Sequence, residues 1–261
     1  MTPDLKETAH AALCLTEAPY LKHYKRGRFR VWEGVAFTAS EMPGAGFNFA
    51  AVLRPVAPSL NELLPVARDF FADSAAGWGV LVEGDAGHPM EAELRARGWA
   101  VDEDEPAYVL PALDSIGTHP VPPDLTIRRA EGQGGADVYK ALTAAAFQAP
   151  PEFADLMVPS VNFMFDPDIA IFIGSAGGAD VAASAYSRAG STAVLWGVAT
   201  LEPYRGRGYG AAVSRAALAH AASQGCANAA LRSGPKSRPL YERLGFKYVC
   251  QHRTYAAPAG V

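Results

Sequence analysis

The chain has 261 residues, 49% apolar and 19% charged, a balance that supports a buried core and excludes a disordered chain. A net charge of −4 argues against a general nucleic-acid or polyanion binder, so any anion site must be local. Cysteines at 14, 226 and 250 have neither metal spacing nor an even disulfide framework, and with no signal-like N-terminus and no apolar run of about 18 residues the expectation is a cytoplasmic protein with reduced thiols and no membrane partner.

Residues 2–24 follow a helical pattern, with Pro3 suited to the first turn and Leu5, Ala9, Ala12, Leu13 and Leu15 in a loose stripe. Residues 28–38 and 47–53 are aromatic and β-branched and predict strands. Residues 59–73 predict an amphipathic helix, with Ser59 and Glu62 as a capping pair and Leu60, Leu63, Leu64, Ala67, Phe70 and Phe71 on its buried face. A strand over Gly77–Val82 and a helix over Met90–Arg97, ending at Gly98, follow. Strand pieces at Trp99–Val101 and Ala107–Leu110 flank an acidic turn, Asp102–Glu105.

Residues 111–124 hold four prolines and little apolar pattern, the composition of a linker. The expected division is a first domain at 1–115, a linker at 116–124 and a second domain at 125–261. The second half restarts with a strand, Leu125–Arg129, and a helix, Ala136–Phe147. A Pro-rich, partly acidic segment, Gln148–Pro167, is long for a loop and is either functional or partly helical. Strands over 170–175, 181–188 and 193–200 are separated by glycine turns. A glycine loop leads to a helix over 211–223 with Gly225 beyond its end, a strand at 227–231, a helix at 237–244 and a last strand at 246–255. A faint internal repeat pairs Gly98-Trp99 with Gly245-Phe246, Tyr108 with Tyr255 and Pro111 with Pro258. Both halves share a strand–strand–helix–strand–helix–strand order.

The loop, Tyr204-Arg-Gly-Arg-Gly-Tyr-Gly210, lies between an apolar strand and a helical pattern. Glycines let backbone approach a ligand closely, and a helix start presents unbonded N–H groups to an anion. Arg205 and Arg207 add charge, so the stretch reads as a pyrophosphate cradle. A P-loop needs G-x-x-x-x-G-K-[ST], which is absent. A dinucleotide fingerprint, G-x-G-x-x-A, is formally present at Gly206, Gly208 and Ala211, but the acidic ribose ligand expected about 20 residues on falls near Asn228.

The form [QR]-x-x-G-x-G, together with Leu240-Tyr-Glu-Arg-Leu-Gly-Phe246 beginning 35 residues after Arg205, resembles the GCN5-related N-acetyltransferase (GNAT) superfamily over about residues 125–256. The resemblance implies a mixed α/β fold: two GNAT-like domains, each a mostly antiparallel mixed sheet flanked by helices, the first degenerate. It implies acetyl-CoA as co-substrate, its pyrophosphate on Arg205, Gly206, Arg207, Gly208, Tyr209, Gly210 and Ala211, and its pantetheine arm on the backbone of Val198, Ala199 and Thr200. It implies Tyr241 as the proton donor to the leaving thiolate, and a backbone N–H of Val198 or Ala199 as oxyanion donor. The pantetheine-contacting asparagine of the family is Gly234 here, and its role passes to Ser233 or Ser237 or is absent. Arg215, Lys236 and Arg238 are candidates for the 3′-phosphate.

The first half has no glycine loop after residues 47–53, where Arg54-Pro-Val-Ala-Pro58 stands, and Leu94 matches Tyr241. That half is expected neither to bind CoA in the family's manner nor to catalyse. The strand before the loop carries no carboxylate, so base candidates fall to Glu152, Asp155, Asp166, Asp168 and Glu202. The six histidines show no i, i+4 pairing, so no metal is expected; His220 and His252 are weak site candidates. The expected acceptor is an amine of a small molecule or peptide, and the chain is a monomer or homodimer. Alternatives are a non-enzymatic acyl-CoA binder or sensor, and an NAD(P)-dependent oxidoreductase.

Overall fold

The structure, a computed structural model, describes residues 3–53, 58–74, 77–84, 87–116 and 120–261. Arg54–Ala57 of the segment expected to replace a glycine loop, and residues 117–119 of the expected linker, lie outside the described residues. In chain order the elements begin α1 (Pro3–Leu15), α2 (Glu17–Leu21), β1 (Arg28–Trp32), β2 (Val35–Ala39), β3 (Phe49–Val52), α3 (Leu60–Phe71), β4 (Gly79–Glu83), α4 (Pro89–Ala96) and β5 (Ala100–Leu110). They continue β6 (Leu125–Arg129), α5 (Gly132–Phe147), α6 (Pro151–Met157), β7 (Ile169–Ala176), β8 (Ala179–Ala189), β9 (Thr192–Thr200), α7 (Tyr209–Ser223), β10 (Asn228–Arg232), α8 (Arg238–Arg243) and β11 (Lys247–Ala256). Short 3₁₀ turns occupy Leu113–Ile116, Val161–Phe165 and Glu202–Tyr204.

Several expected features differ. The helical pattern over 2–24 forms two helices, α1 and α2, parted at Thr16. The single strand over 28–38 is a hairpin: β1 pairs antiparallel with β2 from Arg28 opposite Ala39 to Trp32 opposite Val35. Glu33 (φ 44°) and Gly34 (φ 77°) supply the two positive-φ residues that a two-residue hairpin turn needs. The acidic turn is absent, because β5 runs unbroken through Asp102–Glu105. Its carboxylates are answered instead: Asp104 accepts from Gln251 Nε2 at 2.5 Å and Arg253 Nε at 3.1 Å.

The chain divides into two compact units that are not continuous in sequence. The first contains the chain up to Tyr108 together with Arg232–Pro235 and Tyr248–Val261. Its strands run β1-β2-β3-β4-β11-β5, with β3 parallel to β4 across α3 and β11 antiparallel to β4 from His252 opposite Glu83 to Ala256 opposite Gly79. The final strand, assigned by the sequence to the second half, thus completes the sheet of the first unit. The core sets Phe37, Phe70, Phe71, Trp78 and Trp99 against Tyr255. Phe71 stacks on Trp78 at 4.8 Å and Trp78 meets Trp99 edge-on at 5.4 Å. Tyr255 Oη donates to Glu91 at 2.7 Å, and Arg253 pairs with the same oxygen at 3.1 Å.

The second unit holds Val109–Leu231 and Lys236–Lys247. Here β6, β7, β8 and β9 form an antiparallel meander, and β10 lies parallel to β9. The helix α7 covers one face, with Tyr209, Ala212 and Val213 packed on Leu125, Val181 and Ala182. The β9–α7–β10 unit is parallel, but the rest of the unit's sheet is an antiparallel meander and not the mostly parallel sheet of a doubly wound dinucleotide domain, which argues against the oxidoreductase alternative. The Pro-rich segment is largely helical, as α6 and the 3₁₀ turn at Val161–Phe165. No helix among the described residues is long and apolar enough to cross a membrane.

The repeated G-W and G-F endings have one physical cause. At the end of α8, Phe246 N–H donates to Tyr241 O and Gly245 N–H to Glu242 O, both at 3.0 Å. At the end of α4, Trp99 N–H donates to Leu94 O at 3.1 Å and Gly98 N–H to Arg95 O at 3.0 Å. Gly245 (φ 92°) and Gly98 (φ 77°) are left-handed. This is the Schellman stop, in which the residue after the glycine packs on the residue five before it. Tyr241 and Phe246 accordingly meet edge-on at 5.9 Å, while Leu94 is wholly buried.

Gly245→Ala should cost about 1–2 kcal/mol in urea unfolding for the left-handed backbone. Gly225→Ala, at φ 88° with open space, should cost less, because a Cβ at 245 also meets Leu110 Cδ1 at 3.2 Å. Asp180 accepts two bonds from Arg128, at 2.7 and 3.0 Å. The Arg128 hydrogen bonds, opposed by burial, hold its carboxyl below the ordinary 3.8. Its contribution is full above pH 3.8 and is lost as pH falls through the lower folded value. Asp180→Asn should therefore flatten the acid limb of stability against pH below about 4.

Candidate functional site

The second unit opens its sheet beside β9. The β9–β10 ladder pairs Thr192, Ala193 and Val194 with Asn228, Ala229 and Ala230 and goes no further. On its other edge β9 stays paired with β8 to Thr200 opposite Ala182. Among the described residues, β9 therefore has a strand partner on one side only from Leu195 onward.

Within that stretch the β8 register steps from Ala183 opposite Ala199 to Ala185 opposite Trp196. Two residues, Gly197 and Val198, thus face the single Ser184, which is a β-bulge. Gly197 has φ 58°, the left-handed glycine of such a bulge. It also admits Tyr139 of α5, whose hydroxyl would overlap any Cβ at 197. Tyr139 and Phe163 both meet the Trp196 ring edge-on, at 6.0 and 6.1 Å. The bulge takes Val198 out of the register, beside Ala199, which is paired again opposite Ala183; both are expected site residues. A lone glycine inside a strand pattern, Trp196-Gly197-Val198, is the sequence signal for this bulge.

The loop after β9 ends at a helix start without a side-chain cap. Gly208 is the N-cap of α7, left-handed at φ 83°, and offers no side-chain oxygen to the first-turn N–H groups. Gly206 is left-handed as well, at φ 77°. The donors of Tyr209, Gly210 and Ala211 stand at the positive end of the 15-residue α7. Gly210 brings that end against β9, since a Cβ there meets Thr200 Oγ1 at 3.2 Å.

The loop's side chains act mainly on the protein itself. Arg205 donates Nε to Thr200 O at 3.1 Å and Nη2 to Ala146 O at 3.0 Å, tying the end of β9 to the last turn of α5. Arg207 reaches Pro203 O at 3.3 Å and lies over the Tyr204 ring at 5.4 Å. Tyr209 is buried; its hydroxyl donates to Asp124 in a short bond, and the accepting carboxylate raises the phenol's pKa. What the loop offers an anion is backbone N–H.

The corresponding helix of the first unit starts differently. Ser59 and Glu62 close a full capping box on α3, with Glu62 also accepting from Ser59 N at 2.9 Å and Ser59 Oγ at 2.8 Å. The N–H groups of Ser59, Leu60 and Glu62 go to side-chain oxygens of Glu62, Glu93 and Ser59, and a carboxylate stands at the helix start where an anion would bind.

Tyr241 is buried on α8, held by Phe246 as described. Ser233, buried, donates to Gly234 O at 3.3 Å and belongs to the segment Arg232–Pro235 of the first unit. Most of the loop carboxylates have structural partners. Asp168 pairs with Arg188 at 2.6 Å, Asp155 pairs with Lys140 at 3.2 Å, and the buried Asp166 accepts from Asp168 N at 2.9 Å. Glu152 and Glu202 are exposed. His220 bonds the Tyr186 hydroxyl at 2.8 Å, and burial, reinforced by Arg129, lowers its pKa.

Residues 139–246 match the family model described as Acetyltransferase (GNAT) family. Among solved structures, the chain is similar to a GCN5-related N-acetyltransferase from Kribbella flavida, with 19% identity, 97% of this chain and 96% of that one covered, and a TM-score of 0.73. A tandem GNAT protein from the clavulanic acid biosynthesis pathway matches at 14% identity over 98% and 94% of the chains, with a TM-score of 0.64. A GCN5-related N-acetyltransferase from Sphaerobacter thermophilus matches at 14% identity over 98% and 93%, with a TM-score of 0.58. No curated protein matches. At these identities the likeness establishes the fold.

Gly197→Ala should disrupt the bulge through both its φ and the Tyr139 hydroxyl, at a cost of at least about 2 kcal/mol. Adding Tyr139→Phe should recover part of that loss. Thermal unfolding of the single and double variants measures it.

Proposed function

We propose that this chain, whose residues 139–246 carry a GNAT-family domain, transfers an acetyl group from acetyl-CoA to an amine of a small molecule or peptide. One observation carries the proposal: β9 parts from β10 after Val194 and leads into a helix start without a side-chain cap. A strand edge left open beside an anion-binding helix end suits a ligand with an amide-bearing arm and a pyrophosphate.

Acetyl-CoA, when bound, supplies the acetyl group in activated thioester form. The chain supplies the rest. Backbone N–H groups of Gly206, Arg207, Gly208, Tyr209, Gly210 and Ala211 hold the pyrophosphate, while Arg205 positions the loop through Thr200 O. The backbone of Val198, Ala199 and Thr200 holds the pantetheine arm in place of a sheet neighbour. A bulge N–H, at Val198 or Ala199, meets the acetyl oxygen where negative charge develops. Tyr241 Oη holds a proton for the departing sulfur, its position set by the Schellman stop at Gly245.

The β9 stretch Thr192–Thr200 has no ionisable side chain, and Asp155 and Asp168 are in ion pairs. An alkylamine is only about one part in a thousand neutral at pH 7. Without a protein base, the neutral amine fraction sets the rate, so kcat/KM should rise about tenfold per pH unit from 7 to 9. A plateau near pH 7 would identify a base in the protein.

Acetyl-CoA should bind saturably by calorimetry, and Gly208→Val should abolish the binding. With an accepted amine, Tyr241→Phe should lower kcat about a hundredfold with little change in KM for acetyl-CoA. Binding without turnover across a broad amine panel would instead identify an acyl-CoA sensor, a reading favoured by the absence of a carboxylate on β9.

A further inference from the structure

Away from that site, the first unit buries two imidazoles against each other. His10 of α1 and His252 of β11 are 242 residues apart, and their Nδ1 and Nε2 atoms face at 2.8 Å. The rings meet at right angles. The other nitrogen of His10, Nε2, stands 2.8 Å from Val52 O. A carbonyl can only accept, so Nε2 carries the proton and the neutral ring presents a lone pair at Nδ1. His252 Nδ1 is buried with no hydrogen-bond partner among the described residues.

One thiol belongs to the same cluster and a second lies beside His10. Cys250 precedes His252 by two residues on β11, which puts both on one face of the strand. One ligand atom each from His10, Cys250 and His252 lie within 4.8 Å of one another. Cys14 follows His10 by one helical turn on α1, and its Sγ is 4.0 Å from both ring nitrogens of His10. Cys14 and Cys250 are fully buried, and His10 and His252 are 5% and 2% exposed.

Two imidazoles and two thiols are the donor set of a closed structural zinc centre. Zn–N bonds of about 2.0–2.1 Å and Zn–S bonds of about 2.3 Å set tetrahedral ligand atoms roughly 3.3–3.8 Å apart. The facing nitrogens at 2.8 Å are closer than that range, the Cys14 sulfur at 4.0 Å and the 4.8 Å limit on the His10, Cys250 and His252 atoms are wider, so seating an ion takes shifts of up to about 1 Å. The His10–Val52 bond is the outer partner that metal-bound histidines commonly keep.

We propose that His10, Cys14, Cys250 and His252 form a structural zinc site that clips α1 to β11 within the first unit. The centre is a fastening and not a catalytic site: four protein ligands leave no position for substrate. It joins a helix near the start of the chain to a strand near its end. Spacing along the sequence, H-x-x-x-C and C-x-H at opposite ends, conceals it.

The test titrates the purified full chain, stripped with chelator under reducing conditions, with Zn²⁺ against a competing indicator, and with Co²⁺ followed by absorption. The proposal expects one ion per chain, a higher unfolding temperature with zinc, and a Co²⁺ spectrum combining tetrahedral d–d bands with a thiolate charge-transfer band. Cys250→Ser and His252→Gln should each reduce binding at least about tenfold, and Cys226→Ala should leave it intact. Should the variants fail to fold, the wild-type Co²⁺ spectrum decides alone. Absence of the thiolate band, absence of stoichiometric binding, or binding unchanged in Cys250→Ser and His252→Gln would each overturn the site.

Discussion

Past Val194, strand β9 is held on one edge only, and the site described here depends on that fact. An open strand edge inside a sheet is costly unless something answers its N–H and C=O groups. The neighbouring features are organised around keeping it open. The Gly197 bulge leaves Gly197 and Val198 outside the β8 register. Arg205 fixes the strand's end through Thr200 O. Gly210 lets α7 come down against Thr200. A side chain at 197 or 210 would press on the bulge or on the helix approach.

The two units run the same local grammar with different outcomes. Each has a parallel strand pair joined by a helix, β3–α3–β4 and β9–α7–β10, and each closes a later short helix with a left-handed glycine and an aromatic residue. They diverge at the helix starts. A Ser59–Glu62 box puts side-chain acceptors on the start of α3, while Gly208 gives the start of α7 none. One position decides whether the helix end serves the protein or a ligand. The divergence repeats at Leu94 and Tyr241, which occupy the same place in their Schellman stops, one an apolar plug and the other carrying a hydroxyl.

Local chemistry was legible in the sequence, and long-range partnership was not. The capping box, the glycine stops and most element positions follow from short-range rules, which is why Ser59–Glu62, Gly98 and Gly225 could be read directly. The β1–β2 turn was missed because Glu33 takes a positive φ with no residue preference announcing it. The acidic stretch in β5 resembles a turn in isolation and becomes a strand because Arg253 and Gln251, some 150 residues away, answer Asp104. The placement of β11 in the first unit was hidden for the same reason, and with it the meeting of His10 and His252. In the site, the loop and Tyr241 were visible as motifs, whereas the structural duties of Arg205 and Tyr209 required the positions of Thr200 O, Ala146 O and Asp124.

Hydrogen–deuterium exchange of the full chain with and without acetyl-CoA tests the central claim most directly. The account predicts slowed exchange confined to the open edge of β9, residues 195–200, and to the loop and first turn of α7, residues 206–212, with the start of α3 at residues 60–63 unchanged. Protection at α3, or none at β9 and α7 under saturating acetyl-CoA, would contradict it.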